Sequence, residues 1–522
     1  MNTTEFLNIA TAICPDKEVM VFEGKRFTFS QLNERVNRLG NALLKMGIGK
    51  GERVATLQVN CNECVEIYFA VAKIGAIQVP LNFRARGNEL TYMLNSSEAS
   101  ALFVGERYIE LVNSIKAELK SVKHFISVDK PQEGMLNYDD VLASSSADEI
   151  FTEIGDDDTT ILMYTAGTTG TPKGVMLSHN SFAIYVLENV TPADPVAVEK
   201  NIVTVPLYHV AGVQAMMAAV YGGRTMVMER QFEPVEWMEL VQGEQVDRAM
   251  MVPTMLKQIV DHPNFAKYDL SSLRVITYGA APMPIEVIKK AMDVFPGVSF
   301  INAFGQTETA STITTLSPAD HVITGTDEEK EKKLKRLSSI GRPMSDVEMK
   351  IFDEEGKEVP QGEVGEIVAR GPRVMAGYWK DEEKTEKTID KDGWVHTSDM
   401  AYVDEDGYFF LAGRATDMII RGGENISPEE VEAAIQSYPK VDEVAVIGIP
   451  DEEWGEVPKA FCVVKEGCED CTPEEIMEYC RANLASYKRP RVVEFIDELP
   501  RNPMGKVLKR VLREQQQEKQ GK

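Results

Sequence analysis

The stretch Tyr164-Thr165-Ala166-Gly167-Thr168-Thr169-Gly170-Thr171-Pro172-Lys173-Gly174 gathers the parts of a phosphate-binding loop. Glycines let backbone N–H groups approach a polyphosphate closely. The hydroxyls of Thr165, Thr168, Thr169 and Thr171 add donors, and Lys173 adds a compact positive charge. The apolar Ile161-Leu162-Met163 just before it reads as the end of a strand. The Walker spacing GxxxxGK[ST] is absent. A plain surface turn is the alternative, but four threonines, three glycines and a Pro-Lys-Gly ending weigh against it. A second segment, Asn302-Ala303-Phe304-Gly305-Gln306-Thr307-Glu308-Thr309, joins an aromatic face, which suits a nucleobase, to a hard carboxylate, which suits Mg²⁺. Taken alone, Glu308 would more often be a capping or surface carboxylate.

These segments resemble, in order along nearly the whole chain, the signature motifs of the adenylate-forming superfamily. That group holds acyl-CoA synthetases, nonribosomal adenylation domains and firefly luciferases. The resemblance implies that Phe304, beside Gly305, stacks on adenine, that Thr307 contacts the α-phosphate, and that Glu308, with Thr165, holds Mg²⁺. It also makes Gly279, Ala280, Ala281 and Pro282 the other wall of the adenine slot, with Asn302 reading the adenine amino group. Gly393-Trp394-Val395-His396-Thr397-Ser398-Asp399 is similar to the ribose motif; a carboxylate at Asp399 suits two vicinal hydroxyls. Gly413-Arg414-Ala415-Thr416-Asp417 resembles the interdomain hinge, with Arg414 also on the ribose. Thr416 stands where the family usually has Asp or Lys, and Ala166 where it often has Ser. Pro500-Arg501-Asn502-Pro503-Met504-Gly505-Lys506 resembles the segment that carries the adenylation lysine, Lys506.

Pro206-Leu207-Tyr208-His209-Val210-Ala211-Gly212 resembles the loop whose histidine closes on the substrate carboxylate. His209, Val213, Met216 and Gly279 would then line an apolar acyl pocket. No internal arginine suggests itself for a second carboxylate, so a fatty or aromatic/alicyclic monocarboxylic acid is expected. Arg421-Gly422-Gly423-Glu424-Asn425-Ile426 resembles the loop that guides the pantetheine thiol, through Gly422 and Gly423, and Trp454 matches a position that lines CoA. Lys488, Arg489 and Arg491 form a basic island in an acidic chain, either a seat for CoA phosphates or an ordinary helix-terminal patch. With 16 residues after Lys506 and no carrier domain, a free-standing CoA ligase using ATP, Mg²⁺ and CoA is expected. The alternatives are an acyl-AMP ligase that loads a separate carrier protein and a nonenzymatic acyl-nucleotide sensor. The sensor is disfavoured by Lys173, Glu308, Asp399, Arg414 and Lys506 occurring together. A homodimer is possible.

The elements that must position these residues follow from hydrophobic period. Leu32, Val36, Leu39, Leu43 and Leu44 recur at helical spacing behind Ser30 as a cap. Short apolar strands follow at 53–57, 76–81 and 101–104, and again at 202–205, 225–228, 274–278 and 299–302, with helices between them. That alternation predicts an α/β fold of layered, largely parallel sheets. From about residue 347 a period of two with Gly turns predicts a β-rich subdomain, about 340–414. A smaller α+β pattern follows. The expected division is a large domain, 1–414, and a small mobile domain, 415–522, with the hinge near Thr416. Asp327 to Lys335 reads as a solvated face or loop.

Length and composition agree: 522 residues suggest about three to four domain-sized units. The net charge of −26 disfavours nucleic acid and anionic membranes, so anionic ligands require local basic islands. The mean hydropathy is −0.21, and no apolar run approaches the ~20 residues of a spanning helix. The amino terminus lacks a signal-peptide pattern, and seven sparse cysteines suit a reducing cytoplasm. Cys61/Cys64 and Cys468/Cys471 have CxxC spacing without redox or zinc context, so reduced thiols are expected, and the six histidines show no metal spacing.

Overall fold

The computed structural model describes residues 1–165, 172–414, 417–421, 424–451, 454–501 and 507–520. Two large sheets dominate the first four hundred residues. One has eight strands; its parallel centre is Thr159–Thr165, Ile77–Pro80, Arg53–Leu57, Ala101–Val104 and His124–Ser127. The other has nine, with a parallel run of Glu18–Phe22, Thr225–Met228, Lys200–Val203, Arg248–Met251, Val275–Gly279 and Ser299–Gln306. This is the layered α/β architecture that the alternation predicts.

The core lies between the two sheets. Every residue of helix Asn62–Lys73, and every residue of helix Val210–Tyr221 but Ala215, is buried. One hydrophobic cluster joins both helices to strands of both sheets, through residues such as Val65, Met217, Val54 and Met226. A helix covered on all sides belongs in such a layer. The amino-terminal segment closes it: helix Thr4–Ile13 sets Phe6 against Tyr221 at 5.2 Å, and Glu18–Phe22 enters the nine-stranded sheet with Met20 opposite Met226.

Two local expectations are corrected. The cap of the first long helix is Thr28, not Ser30: Gln31 N–H donates to Thr28 Oγ1 at 3.2 Å while Thr28 N–H donates to Gln31 Oε1 at 2.9 Å, a reciprocal capping box. Of the two alternatives for Asp327 to Lys335, the solvated face holds and the loop does not: Asp327–Arg336 is a helix. Thr326 caps it, its acidic first turn and basic last turn suit the helix dipole, and none of its residues is buried.

The β-rich region is an antiparallel sheet of Glu348–Phe352, Gly365–Arg370, Val395–Val403 and Phe409–Arg414. Beyond it, strands Ile419–Arg421, Glu424–Ile426, Val441–Asp451, Gly455–Val464 and Val492–Phe495 form a further sheet. Helices Pro428–Gln436, Pro473–Asn483 and Lys509–Gln520 accompany it. Contacts back to the first part include Lys257–Asp442 at 3.0 Å and the Glu429 carboxylate against Gly413. All seven cysteines are free; Cys61 and Cys64 place their sulfurs 3.5 Å apart, and burial pushes the Cys61 thiol up. Among the described residues, no helix is long and apolar enough to cross a membrane.

Candidate active site

Strand Thr159–Thr165 pairs antiparallel with Lys173–Ser178, and Thr165 stands opposite Lys173. The two ends of the Gly/Thr-rich stretch are therefore held side by side; Thr168 and Thr169, inside it, lie outside the described residues. Gly377–Tyr378 adds to the far edge of this hairpin, with Tyr378 opposite Val175. Its ring lies 5.6 Å from Lys173 Nζ, and its hydroxyl donates to Glu308 Oε1 at 2.9 Å. Met375 N–H donates to the Glu308 carbonyl at 2.9 Å, so backbone and side chain of Glu308 are fixed from the same segment. Burial pushes the Lys173 ammonium down to about 8 and pushes the Tyr378 phenol up, Glu308 adding to the second effect.

The expected adenine walls come from neighbouring parallel strands, with Tyr278 opposite Asn302 and Gly279 opposite Ala303. A Cβ at Gly279 would fall 2.0 Å from the Ala303 carbonyl oxygen, so only glycine lets the strands meet there. Ala280 then turns with φ of 66°, ahead of Ala281 and Pro282. Asn302 Nδ2 donates to the Ser339 carbonyl at 3.2 Å. Phe304 is half-buried against Ile340 and Ile313, and a Cβ at Gly305 would fall 1.6 Å from the Ser311 carbonyl oxygen. The strand continues through Gln306, four residues beyond its expected end, and delivers a buried Thr307 and a half-buried Glu308 on a single 3₁₀ turn, Thr307–Thr309.

Asp399 and Arg414 are opposite each other on adjacent strands, with Arg414 Nε 3.0 Å from Asp399 Oδ1. Thr397 supports the pair: its hydroxyl donates to the Ile367 carbonyl at 2.8 Å and accepts from Asp399 N–H at 3.1 Å. His209 precedes helix Val210–Tyr221 with its N–H on the Pro206 carbonyl at 3.0 Å. Burial pushes its imidazole down to about 4, so it is neutral near pH 7. Val213 and Met216 are buried on the same helix and border a cavity of ≈ 20 Å³ shared with Tyr208, Gln58 and Gln78. A far larger cavity, ≈ 640 Å³ beside Asn8, Lys73, Glu149 and Phe151, contains none of the expected site residues.

The carboxyl-terminal part is arranged differently. Trp454 is exposed, with the Arg421 guanidinium 5.4 Å from its ring. Lys488 Nζ donates to both oxygens of Glu430, at 2.6 and 2.7 Å. Arg489 donates to the Leu484 and Arg481 carbonyls, at 2.9 and 3.0 Å, at the end of helix Pro473–Asn483. The basic island is thus engaged in pairing and helix capping, while Arg491 is exposed. Gly422, Gly423, Thr416 and Lys506 lie outside the described residues.

Residues 9–379 match the model of the AMP-binding enzyme family, and residues 430–506 match that of the AMP-binding enzyme C-terminal domain. The chain belongs to the AMP-binding enzyme family. Within that adenylate-forming group it stands near the acyl-CoA synthetases. It is 37% identical to a feruloyl-CoA synthase from Amycolatopsis sp, over 93% of each chain. It is 33% identical to the fatty acid–[acyl-carrier-protein] ligase ScoC of Streptomyces coeruleorubidus, covering 96% of this chain and 93% of that protein. Among solved structures, the anthranilate CoA ligase AuaEII in complex with anthranoyl-AMP superposes with a TM-score of 0.89 at 28% identity, over 99% of this chain and 97% of that one.

For this AMP-binding enzyme the sequence reading misses two supporting residues. Tyr378, 70 residues from Glu308, is the hydroxyl that orients that carboxylate. Arg373 is fully buried, pairs with Asp346 and donates to the Thr312 carbonyl, which fixes the chain just before Met375. A charged residue inside the otherwise uncharged run Gly371 to Tyr378 is the only signal the sequence offers for Arg373, and none marks Tyr378. Together, a half-buried carboxylate, a partly desolvated lysine and hydroxyls on paired strands can bind and neutralise a polyphosphate.

Proposed function

We propose that this enzyme is an ATP-dependent carboxylic acid–CoA ligase acting on a fatty or aromatic/alicyclic monocarboxylic acid. The observation that carries the reading is the convergence of Lys173, Tyr378 and Glu308 at the two ends of the Gly/Thr-rich stretch, in a member of the AMP-binding family. In the first half-reaction a carboxylate oxygen of the acid attacks the α-phosphorus of ATP, the bond to the β-phosphate oxygen breaks, and acyl-AMP and pyrophosphate form. Lys173 and the threonine hydroxyls take phosphate oxygens, and Thr307 the α-phosphate. Phe304 and the Gly279–Pro282 loop enclose adenine, Asn302 faces its amino group, and Asp399 with Arg414 holds the ribose. Neutral His209 meets the carboxylate end of the acid without a competing full charge, and Val213 and Met216 face its apolar part.

Glu308 and Thr165 offer the hard oxygens that suit Mg²⁺, and Tyr378 keeps the Glu308 carboxylate oriented. When bound, that ion supplies charge neutralisation at the phosphate oxygens. In the second half-reaction the CoA sulfur attacks the acyl carbonyl and AMP leaves. Lys506 serves the first half and the glycine loop at 422–423 the second, if residues 415–522 rotate against 1–414 about Thr416. Trp454 borders the CoA path, and Lys488 and Arg489 reach CoA phosphates only by leaving Glu430 and the helix carbonyls.

A second reading, transfer of the acyl group to a carrier protein, is supported by the similarity to ScoC. A panel of carboxylic acids, scored for AMP release with free CoA, with a purified carrier protein and with neither, tests both. Acid-dependent AMP release coupled to acyl-CoA is the expected result. Turnover with the carrier alone would replace CoA as acceptor, and no acid-dependent AMP release under any arm would sink the ligase reading.

A further inference from the structure

The eight-stranded sheet turns one face toward the buried helices of the central layer, where Val54 of strand Arg53–Leu57 packs. Thr56, two residues on, stands on that same face. Gln78 is opposite Val54 on the adjacent parallel strand Ile77–Pro80 and shares the face. Parallel strands covered on both sides ordinarily read as apolar runs, so packing alone gives no reason for a threonine and a glutamine here. Both are 5% exposed. Thr56 Oγ1 is buried with no hydrogen-bond partner, and the Gln78 amide has none among the described residues. Buried polar groups left unpaired are costly to a fold, and two on one face point to a group that pairs with them.

Thr56 and Gln78 line the cavity of ≈ 20 Å³ that Val213 and Met216 border. Gln58 and Tyr68, also on its wall, are already engaged. Gln58 donates to Asp129 Oδ2 at 2.9 Å and accepts from Val59 N–H at 2.9 Å, and the Tyr68 hydroxyl lies 2.6 Å from Thr3 Oγ1. On the helix side, Val213 and Met216 follow His209 at helical spacing and form one stripe with it. Seven residues of helical rise separate His209 from Met216, about 10 Å. An acid whose carboxylate meets His209, with its tail along that stripe, ends at this cavity.

Volume, charge and hydrogen-bonding capacity then fix what the tail carries. A cavity needs about 10–15 Å³ to hold one water, so ≈ 20 Å³ takes one oxygen-sized group and no ring or branch. Among the described residues no charged side chain lines it, which disfavours a second carboxylate. Thr56 and Gln78 each offer a donor and an acceptor. A hydroxyl uses both kinds at once, whereas a ketone or ether oxygen only accepts.

We propose that Thr56 and Gln78 receive a neutral hydroxyl at the far end of the acyl pocket, and that the acid activated here carries that hydroxyl about 10 Å from its carboxylate. The inference rests on the acid-activating reading above and names the substrate class within it. Thr56 and Gln78 select the acid and have no part at the reacting carboxylate or the phosphates.

The test pairs each hydroxy acid with its parent: 8-hydroxyoctanoate with octanoate, and 3-(4-hydroxyphenyl)propanoate with 3-phenylpropanoate. Pyrophosphate release gives kcat/KM for each acid. In the wild type the hydroxy acid of at least one pair should exceed its parent by about tenfold or more, because the parent leaves the buried groups of the site unpaired. Thr56→Val and Gln78→Met should bring that ratio toward one, and Thr56→Ser should keep it. Melting curves accompany the variants, and the wild-type ratios stand whether or not a variant folds. Equal rates within both wild-type pairs, or faster parents, would leave Thr56 and Gln78 to a buried water and remove this inference alone. A wild-type preference that persists in Thr56→Val and Gln78→Met would take selection away from these residues. No pyrophosphate release from the wild type with these or any other carboxylic acid would remove the inference together with the reading on which it rests.

Discussion

Lys173 and Lys488 are both lysines expected to meet phosphate, and their surroundings are opposite. Lys173 sits over the Tyr378 ring at 5.6 Å, and burial, with Lys384 beside it, holds it down to about 8. Lys488 is only 20% exposed yet already grips both oxygens of Glu430, which, against the cost of burial, raises it above the ordinary lysine value. A cation whose charge is a burden in the free protein gains when an anion arrives. A cation already neutralised must first give up its partner. Arg414, paired with Asp399 on the adjacent strand, and Arg489, which completes a helix end, stand with Lys488 as cations already engaged. Sequence alone cannot tell these cases apart, because each reads only as a basic residue near a motif.

The sharpest test of the contrast is Lys173→Met. Removing a preorganised charge at developing phosphate charge costs about 10²–10³ in rate, so acyl-AMP formation should fall by that order. The melting temperature should hold or rise, because a partly desolvated ammonium is removed. A Lys173→Met variant that melts early and keeps its adenylation rate would invert the comparison. Tyr378→Phe probes the same cluster more gently. It removes the 2.9 Å hydrogen bond to Glu308 but keeps the ring, and losing a group that orients a metal-binding carboxylate costs about 10–100-fold in metal affinity. Adenylation at limiting Mg²⁺ should drop by about tenfold and recover at high Mg²⁺; a loss that Mg²⁺ does not repair would make the phenol structural.

On the other side of the comparison, Lys488→Met should change the KM for CoA by no more than about two- to threefold, because Glu430 competes for the same ammonium. Its measurable effect should be on stability, about 0.5–1 kcal/mol for the lost pair. A tenfold rise in the KM for CoA with an unchanged melting curve would return Lys488 to the CoA site.

What the sequence makes legible follows contact distance. Strands Arg53–Leu57, Ala101–Val104 and Thr225–Met228 occur at their expected bounds, because each is a short apolar run flanked by turns. The strand before the Gly/Thr-rich stretch is legible in Ile161-Leu162-Met163, whereas its antiparallel partner Lys173–Ser178 is not. The sequence does not disclose the place of Glu18–Phe22 in the nine-stranded sheet: beside its local partner Lys25–Thr28, its other neighbour, Thr225–Met228, lies two hundred residues away. Helix Asp327–Arg336 escapes for another reason: its stability comes from its cap and charge order, with no apolar stripe to show a period. Tyr378 reaches Glu308 and Lys173 through an added edge strand, a placement that only the fold supplies.

The smallest predicted effect extends the contrast to His209, which bears the cost of burial with no opposite charge to offset it. Burial pushes its folded value down to about 4 from an ordinary 6.5. Between those values the unfolded chain takes up a proton that the folded chain refuses, so protons favour unfolding. The stability contribution is therefore whole above about pH 6.5 and is lost as pH falls toward 4. His209→Asn should lessen the fall in melting temperature across that window by a few degrees and leave the melting temperature near pH 8 almost unchanged. The buried His179, also pushed down to about 4 by burial, is retained in the variant, so part of the acid slope should persist. If His209→Asn leaves the whole slope intact, the imidazole is charged or solvated in the folded protein, and the site would meet its substrate carboxylate with a cation.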